Sequence, residues 1–456
     1  QGAYYIESQG EVAIIDPLRE TEPYVKKAEK NGHTIKYILE THFHADFVSG
    51  HVDLAKKTGA TIIYGPGAKT EYEIHESRDG EIFQLGDVSI QVLHTPGHTL
   101  ESSTFLLKDG EGKERAIFTG DTLFIGDVGR PDLAQKSDLT QEDLAGMLYD
   151  SLQSKIMPLP DDIVVYPAHG AGSACGKNMS KETFDTLGNQ KANNYALKAK
   201  TRAEFIQKVT DGLLPPPQYF AKNAQMNKKG YESIDTVLER GKMALAPDAF
   251  EELVNQEGAL MLDTRSPQDF AQGFIPNAIF IGIDGSFAPW VGTLIPDLRQ
   301  KIVIIAESGR EEEIITRLAR VGYDFTLGYL EGGFEAWKAA GKEIDQMESI
   351  SAKELEKRYQ DNPKLNLIDV RKPTEFEAEH VTSALNYPLD FINDHMQDLD
   401  RENAYHLHCA GGYRSMIMAS ILRARGYSHL VNIEGGFGAI KETALPRTDF
   451  ACSSNT

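Results

Sequence analysis

The stretch Thr41–His51, THFHADFVSGH, determines the interpretation of the first half of the chain. It overlaps the end of the apolar run Tyr37–Thr41, which predicts a strand leading into a loop. His42, His44 and Asp46 alternate in this loop, and each offers a nitrogen or oxygen atom that can bind a metal ion. Because functional side chains of α/β proteins gather at strand ends, the stretch predicts a metal site on an α/β sheet.

Further strands and further metal-binding side chains follow along the first half. Short β-rich runs that end in Gly, Pro, Asp or His predict the other strands: Ala13–Asp16, Thr61–Tyr64, Ser89–His94, Ala116–Thr119 and Ile163–Pro167. Val48–Lys57 is predicted as a helix. Three later loops supply His98 in TPGHT, Asp121 in FTGDTLF and His169 in YPAHG. Six His and Asp residues in strand-end loops indicate one shared metal centre rather than isolated structural residues.

The chain breaks after Pro215–Pro217, where Asn223–Gly230 is polar and lacks periodicity, so a domain boundary is predicted at about residue 230. The remainder is an internal repeat of about 100 residues per copy. The aligned pairs are Asp263 with Asp369, Ala306 with Cys409, and Glu331 with Glu434. The predicted domains are 1–230, 243–345 and 346–456.

Composition excludes some classes of partner. The chain has 47 Lys and Arg against 68 Asp and Glu, a net charge of −21, which argues against nucleic acid and anionic membranes as partners. No apolar run approaches the ~20 residues of a membrane helix. Three cysteines, Cys175, Cys409 and Cys452, are too few for a disulfide scaffold, so we expect a reducing cytoplasm. The chain opens at Gln1 rather than Met, so we expect a short leader to precede it.

The histidine and aspartate motifs resemble those of the metallo-β-lactamase superfamily, whose fold is an αββα sandwich, over roughly residues 1–230. The family motif His-x-His-x-Asp-His has a fourth ligand where this chain has Phe47. A phenyl ring cannot bind a metal, and the missing histidine helps to hold the second ion in two-zinc hydrolases. The resemblance therefore implies a site for one metal.

One branch of the superfamily, the persulfide dioxygenases, is similar over more of the chain. The additional similar stretches are AIIDP (Ala13–Pro17), GRPD (Gly129–Asp132) and the Pro-rich segment near Leu214–Gln218. This resemblance implies one iron(II), Fe(II), per N-terminal domain, held by His42, His98 and Asp121. It leaves three residues as hydrogen-bonding partners of the ligands or as vacant positions of a second metal: His44, Asp46 and His169.

The implied reaction oxidises a low-molecular-weight thiol persulfide with O₂ and releases sulfite and the thiol, as in sulfide detoxification. The carrier thiol stays open between glutathione, coenzyme A, bacillithiol and others. Arg130 and Lys177 are candidates to bind an anionic carrier, and Cys175 is a candidate to contact the persulfide, although solvated charges and an inert buried thiol are the alternatives. The branch also implies a homo-oligomer, a dimer or tetramer.

The last copy contains a cysteine loop between the predicted strand Tyr405–His408 and a helix from about Ser415. Cys409 begins the loop and Arg414 ends it. The loop backbone N–H groups at the head of the helix should form an anion nest, which favours a reactive thiolate at Cys409. Four residues lie between them and form the predicted sulfur cradle: Ala410, Gly411, Gly412 and Tyr413.

This loop matches Cys-x-x-Gly-x-Arg and resembles the rhodanese family over roughly residues 346–450, which implies a small α/β domain with a parallel sheet and a persulfide on Cys409. Cysteine-dependent phosphatases, the main alternative, have one more residue between Cys and Arg. The middle copy has Ala306 and Glu311 in place of Cys409 and Arg414. It resembles an inactive rhodanese domain with a structural or docking role.

Together the resemblances predict that sulfite from the first domain accepts sulfur from Cys409 and becomes thiosulfate. A zinc-dependent thioester hydrolase of the glyoxalase II type, fused to a sulfurtransferase, is the alternative, and Phe47 argues against it. A sulfide-responsive sensor with vestigial sites is a third possibility. The retained His42, His98, Asp121 and cysteine loop argue against that sensor.

Overall fold

The structure is a computed structural model that describes residues 1–134, 139–177, 179–213 and 215–449. Leu214 and Cys452 from the sequence interpretation lie outside the described residues, as do residues 450–456 of the predicted last domain. The chain folds as two units. The first comprises residues 1–234 with 319–322, and the second comprises residues 235–318 with the chain from 323 onward.

The first unit contains two sheets. The five strands of the first sheet lie side by side in chain order: β1 (Tyr4–Ser8), β2 (Glu11–Ile15), β3 (Thr34–Leu39), β4 (Thr61–Tyr64) and β5 (His75–Glu76). The second sheet has six: β6 (Ile82–Leu85), β7 (Val88–His94), β8 (Ser103–Lys108), β9 (Glu114–Gly120), β10 (Val164–Pro167) and β11 (Asp185–Thr186). Its spatial order also follows the chain, from β6 to β11.

Helices cover the outer faces of both sheets. They are α1 (Glu22–Asn31), α2 (His51–Thr58), α3 (Gln141–Ser151), which a π-helical turn (Leu152–Ile156) continues, α4 (Leu187–Asn193), α5 (Arg202–Thr210) and α6 (Phe220–Lys229). Alternation along β2 shows how the layers form, because successive side chains of a strand point to opposite faces. Ala13 and Ile15 pack between the sheets, whereas Val12 and Ile14 pack under the helices. The predicted αββα sandwich is confirmed.

Two elements of the first unit differ from the sequence prediction. The helix predicted over Val48–Lys57 begins only at His51, because the Ser49 N–H is bonded to the side chain of Asn227 and Gly50 caps the helix. The polar segment Asn223–Gly230, predicted as a break, lies largely within α6. The buried Asn227 of that helix bonds to the loop before α2, so its polar sequence does not mark a linker.

The second unit contains two all-parallel sheets. The strands of the middle copy are β12 (Ala244–Leu245), β13 (Leu260–Asp263), β14 (Ile279–Phe280), β15 (Ile302–Ile305) and β16 (Thr326–Leu330). Those of the last copy are β17 (Glu348–Ile350), β18 (Asn366–Asp369), β19 (Leu385–Asn386), β20 (Tyr405–His408) and β21 (Leu430–Ile433). The spatial orders, β12-β16-β15-β13-β14 and β17-β21-β20-β18-β19, are the same, which confirms the internal repeat and its parallel sheets.

The helices around these sheets are short. The middle copy has α7 (Ile234–Gly241) leading into it, then α8 (Pro247–Glu257), α9 (Pro267–Gln272), α10 (Phe287–Leu294), α11 (Glu311–Arg320) and α12 (Gly333–Ala339). The last copy has α13 (Ala352–Asp361), α14 (Pro373–Ala378), α15 (Ile392–His395), α16 (Tyr413–Ala424) and α17 (Gly436–Ile440). Among the described residues, none of the helices has the length and apolar character needed to cross a membrane.

Candidate functional site

Three side chains converge at the ends of strands in the first unit. His42 follows β3, His98 lies in the turn between β7 and β8, and Asp121 follows β9. Asp121 Oδ2 lies 3.8 Å from His42 Nε2 and 3.3 Å from His98 Nε2, and all three residues are buried. The structure therefore brings together the three residues that the sequence predicts as metal ligands.

The donor set fits one metal ion. Two ligand atoms about 2.1 Å from one ion and at right angles lie about 3 Å apart, close to the separations found here. Asp121 Oδ2 is buried and has no hydrogen-bond partner among the described residues. It faces the two imidazoles but accepts a hydrogen bond from neither. Two imidazole nitrogens and one carboxylate oxygen form the ligand set typical of non-haem iron sites.

The second ring nitrogen of each histidine is held by a neighbour. His98 Nδ1–H donates to the carbonyl oxygen of Arg130 at 2.9 Å. His42 Nδ1 lies 3.0 Å from Thr41 Oγ1, and that hydroxyl donates to Asp16 Oδ2 at 2.8 Å. These bonds orient both rings so that Nε2 faces Asp121, as outer partners of metal ligands do.

His169 connects Asp121 to Asp46. Its Nδ1 lies 2.8 Å from Asp121 Oδ1, and its Nε2 lies 2.8 Å from Asp46 Oδ2. Burial lowers the pKa of His169, but the two carboxylates outweigh burial and raise that pKa to about 10. Burial would raise the pKa of Asp121, yet His169 and His42 hold that pKa well below its usual range. His169 and Asp46 are therefore placed to orient an ionised Asp121.

His44 is turned away from the other two histidines, although its ring centroid is only 4.2 Å from that of His42. Its Nε2 lies 3.1 Å from Asp16 Oδ1 and 3.5 Å from Glu40 Oε2, and all of these atoms are buried. Burial lowers the pKa of His44, but Asp16 and Glu40 raise it to about 9. The ring of Phe47 lies 4.5 Å from that of His44, where it offers no ligand.

Sequence interpretation missed Glu40 and Asn227, which hold the loop that bears His42. The Asn227 side chain donates to the carbonyl oxygens of His44 at 2.8 Å and Phe47 at 2.9 Å, and it accepts from Ser49 N–H at 3.0 Å. No local pattern distinguishes Asn227 from the other polar residues of its segment. Glu40 could have been noticed as a single charge at the end of an apolar strand.

The three residues that the sequence predicts to contact substrate differ in burial and in hydrogen bonding. Cys175 is buried with its thiol in a group with Asp46 and His169, and burial followed by the nearby carboxylates raises its pKa. Arg130 is also buried, and its guanidinium forms two bonds of 2.6 and 2.7 Å to Asp132. Its charge is thus balanced by Asp132, and its carbonyl oxygen accepts from His98 Nδ1–H. Lys177 is exposed and donates to the carbonyl oxygen of Lys208 at 3.1 Å. Contact with substrate stays a prediction for all three.

Cys409 follows β20 and is buried at the head of α16. Its Sγ accepts a hydrogen bond from the N–H of Gly412 at 3.0 Å, and the hydroxyl of Ser415 lies 3.6 Å away. Gly412 has φ of +98°, which allows its N–H to turn inward. The loop thus supplies the inward-facing N–H group that the sequence predicted, and Ser415 adds a donor that it did not predict.

The rest of the loop separates into exposed and anchored residues. Ala410 and Gly411 are exposed. Arg414 donates to both carboxylate oxygens of Glu375 on α14, at 2.7 and 2.8 Å. The helix begins at Tyr413, two residues earlier than the sequence predicted, so Arg414 lies in its first turn.

The corresponding loop of the middle copy carries opposite chemistry. Ala306 follows β15 where Cys409 follows β20, and it offers no nucleophile. The carboxylate of Glu311 accepts from the N–H of Gly309 at 2.9 Å. An acidic side chain thus accepts a hydrogen bond from the N–H group that corresponds to the one bonded to Cys409 Sγ in the last copy.

Comparison with known proteins identifies the domains. Residues 2–169 match the Metallo-beta-lactamase superfamily, and residues 246–340 and 351–443 each match the Rhodanese-like domain. The mitochondrial persulfide dioxygenase ETHE1 of Homo sapiens is 31% identical over 222 residues, which are 47% of this chain and 78% of that protein.

A hydrolase of the same superfamily is also similar. A probable hydroxyacylglutathione hydrolase of Schizosaccharomyces pombe is 36% identical over 160 residues, which are 34% of this chain. The match spans 58% of the length of that relative. A crystal structure titled as a metallo-beta-lactamase from Staphylococcus aureus has a TM-score of 0.63 and 32% identity, covering 73% of this chain and 95% of that chain.

Proposed function

The chain belongs to the metallo-beta-lactamase superfamily and carries two rhodanese-like domains, and from this we propose that it is an iron persulfide dioxygenase joined to a sulfurtransferase. The observation that carries the proposal is the convergence of His42, His98 and Asp121, with Phe47 in place of a further ligand. The similarity to a persulfide dioxygenase over 78% of its length supports this activity.

Held by these three residues, iron(II) would supply the redox chemistry by which O₂ oxidises sulfur, with coordination positions left for both reactants. The protein's part is to hold the ligands in place. Arg130 fixes the ring of His98 through its carbonyl oxygen, and His169 donates a hydrogen bond to Asp121 Oδ1, the carboxylate oxygen that faces away from the two other ligands. The buried surroundings keep bulk water from the reacting sulfur.

The proposed first reaction consumes a thiol persulfide, O₂ and water, and yields the thiol, sulfite and two protons. The S–S bond of the persulfide breaks, the terminal sulfur is oxidised, and O₂ accepts the electrons. The proposed substrate is a low-molecular-weight persulfide, and contact of the buried Cys175 and the exposed Lys177 with it is part of the proposal.

The proposed second reaction takes place on Cys409. Its thiolate attacks the outer sulfur of a persulfide, the S–S bond of that persulfide breaks, and the carrier thiolate leaves. Sulfite then attacks the sulfur that is now bound to Cys409. A new S–S bond forms in thiosulfate while the Cys409 thiolate leaves. We propose that the N–H of Gly412, which donates to Cys409 Sγ, and the guanidinium of Arg414 stabilise negative charge on sulfur.

We also propose a cellular compartment, a class of partners and an assembly. Two buried free thiols, Cys175 and Cys409, are present in the described part of the chain and suit a reducing cytoplasm. The net charge of −21 disfavours nucleic acid and anionic membranes as partners. A homo-oligomer, a dimer or tetramer, is the assembly we propose.

The experiment that tests the first reaction compares sulfite formation from glutathione persulfide in air and under argon. The proposal predicts that sulfite formation requires O₂. Sulfite that persists under argon would contradict it. For the second reaction, Cys409→Ser should accumulate sulfite and lose thiosulfate, and Cys452→Ser, the same substitution at another thiol, should do neither. Unchanged thiosulfate from Cys409→Ser would refute the assigned step.

A zinc-dependent thioester hydrolase is the second candidate, because hydroxyacylglutathione hydrolases are about as similar as the persulfide dioxygenase. Such hydrolysis by a two-metal pair would need ligands for a second ion, and Phe47 stands where one is expected. The metal content of the purified protein distinguishes the two. One iron per chain favours oxidation, and two zinc ions per chain favour hydrolysis.

A further inference from the structure

We propose that the middle copy sets the conformation of the sulfur-transfer loop by holding Tyr413, which makes Tyr413 a positioning residue for the proposed transfer at Cys409. The inference rests on the proposed function of the last copy. It gives the middle copy, which lacks a nucleophile, a role in the reaction of its neighbour.

Tyr413 leaves the cysteine loop and contacts the middle copy. Its hydroxyl donates to the carbonyl oxygen of Gly282 at 2.7 Å, and its ring meets that of Phe280 edge-on with centroids 6.0 Å apart. Burial and then the nearby Asp284 raise the pKa of Tyr413, so the hydroxyl remains a donor at all physiological pH values.

Two glycines of the middle copy make room for the ring. A Cβ added to Gly285 would lie 2.2 Å from Tyr413 Cζ, and one added to Gly282 would lie 3.2 Å from its Cε2. Neither glycine has φ in the left-handed region. Backbone φ therefore does not require glycine at either position. An alanine at Gly285 would meet the tyrosine ring, whereas one at Gly282 would first meet the carbonyl oxygen of Arg265 and the ring of Phe280, each at 2.9 Å.

The last copy shows that the fold itself does not require these glycines. Strands β14 and β19 occupy the same place in their sheets, with Asp263 paired to Phe280 and Asp369 paired to Asn386. Counted from these strands, the residues equivalent to Gly282 and Gly285 are Pro388 and Phe391. Gly285 thus serves the contact with Tyr413.

A second bond fixes the same helix. Phe280 N–H donates to Ser420 Oγ at 2.9 Å, and both residues are buried. Ser420 lies seven residues after Tyr413 on α16, about two helical turns along it. The middle copy therefore holds α16 at its first residue and again two turns later, which fixes the helix rather than one side chain.

The position of Tyr413 in the loop connects these contacts to the chemistry. Gly412, directly before it, donates its N–H to Cys409 Sγ, and Arg414, directly after it, binds Glu375. A shift of the Tyr413 backbone would move one or both of these neighbours, because consecutive Cα atoms are held about 3.8 Å apart.

The test uses the full chain and four variants: Gly285→Ala, Tyr413→Phe, Tyr413→Ala and the double variant Gly285→Ala/Tyr413→Ala. Ser286→Ala is the matched control, because Ser286 is the exposed neighbour of Gly285 and its side chain forms no capping bond. Sulfur transfer is measured from thiosulfate to cyanide, which gives sulfite and thiocyanate. Sulfite formation from a persulfide by the first domain and the melting temperature are measured on the same samples.

We expect Gly285→Ala to lower kcat for thiocyanate formation by about tenfold while the first domain keeps its activity, and Tyr413→Phe to lower it about two- to tenfold. The double variant should be no worse than Tyr413→Ala alone, because Gly285 acts only through the ring. The proposal would be overturned if Gly285→Ala kept the wild-type kcat. It would also be overturned if the fold-losses in kcat of Gly285→Ala and Tyr413→Ala multiplied in the double variant.

A second readout separates this inference from the function on which it rests. If the wild-type chain forms no thiocyanate, the proposed sulfur transfer is wrong. The rate at which iodoacetamide alkylates Cys409, followed by peptide mass spectrometry, still tests the positioning. Gly285→Ala should change that rate at least about threefold while Ser286→Ala leaves it unchanged, and equal rates in both would refute the positioning role.

Discussion

Gly129 provides a sharp test of how closely the metal ligands are packed. A Cβ at this position would lie 1.9 Å from the carbonyl oxygen of Asp121 and 3.0 Å from His98 Nδ1. Its φ is outside the left-handed region, so the backbone itself accepts alanine. Any effect of Gly129→Ala therefore arises from the added methyl group pressing on two predicted ligands.

The size of the effect follows from these contacts. The methyl group and the backbone carbonyl oxygen of Asp121 must move apart by about 1.5 Å before they reach an ordinary contact. Overpacking of this kind typically costs ~1–3 kcal/mol in free energy of unfolding. Moving the residue before Arg130 also disturbs the carbonyl oxygen that orients His98, and the loss of such a partner typically lowers metal affinity ~10–100-fold.

The assay is a competition for iron(II) between the protein and a chelator of known affinity, with the melting temperature measured in parallel. Gly170→Ala is the control, since a Cβ there has nothing within 4 Å and it directly follows His169. The metal affinity of Gly129→Ala should fall by the stated factor and that of Gly170→Ala should not change. Equal affinity in Gly129→Ala and the unaltered chain would refute the proposed ligand arrangement.

The remaining predictions concern the two sites and pH. Glu375→Gln removes the charged partner of Arg414 and should weaken this contact by ~1–3 kcal/mol, which lowers thiocyanate formation about tenfold without changing sulfite formation by the first domain. Removal of metal with a chelator should abolish sulfite formation from a persulfide and leave transfer from thiosulfate to cyanide intact. Burial lowers the pKa of His51 from 6.5 to about 3, so the unfolded chain binds a proton there that the folded chain does not. The free energy of unfolding therefore keeps its full value above pH 6.5 and falls by up to ~1.4 kcal/mol per pH unit below it. Urea unfolding of His51→Gln should show a weaker dependence on pH over that range.

Local sequence patterns predict the layers of the fold and the loops that form the site. They do not predict the distant residues that bond to those loops. Alternation of apolar side chains in β2 and the strand-end positions of His42, His98 and Asp121 are periodic features that a sequence displays directly. Asn227 acts through a contact with Phe47 that spans 180 residues. Such contacts depend on which helix packs against which loop, so no window of sequence contains them.

The same limit applies to the second unit. The repeat and the Cys409 loop are visible as aligned residues, and the sequence also indicates that Ala306 and Glu311 cannot serve as nucleophile and anion partner. The bond between Tyr413 and Gly282 joins residues 131 positions apart, and it appears only when the two copies are folded.

The most direct test of the central claim follows the oxygen atoms. The iron-loaded protein is incubated with glutathione persulfide under ¹⁸O₂ while O₂ uptake is recorded. The sulfite is trapped immediately and its mass is determined by mass spectrometry. If His42, His98 and Asp121 hold the iron of a dioxygenase, one O₂ is consumed per sulfite and each sulfite carries two ¹⁸O atoms. Asp121→Ala should lose both the O₂ uptake and the labelled sulfite. Sulfite without the label, or the same labelled product from Asp121→Ala, would contradict the account.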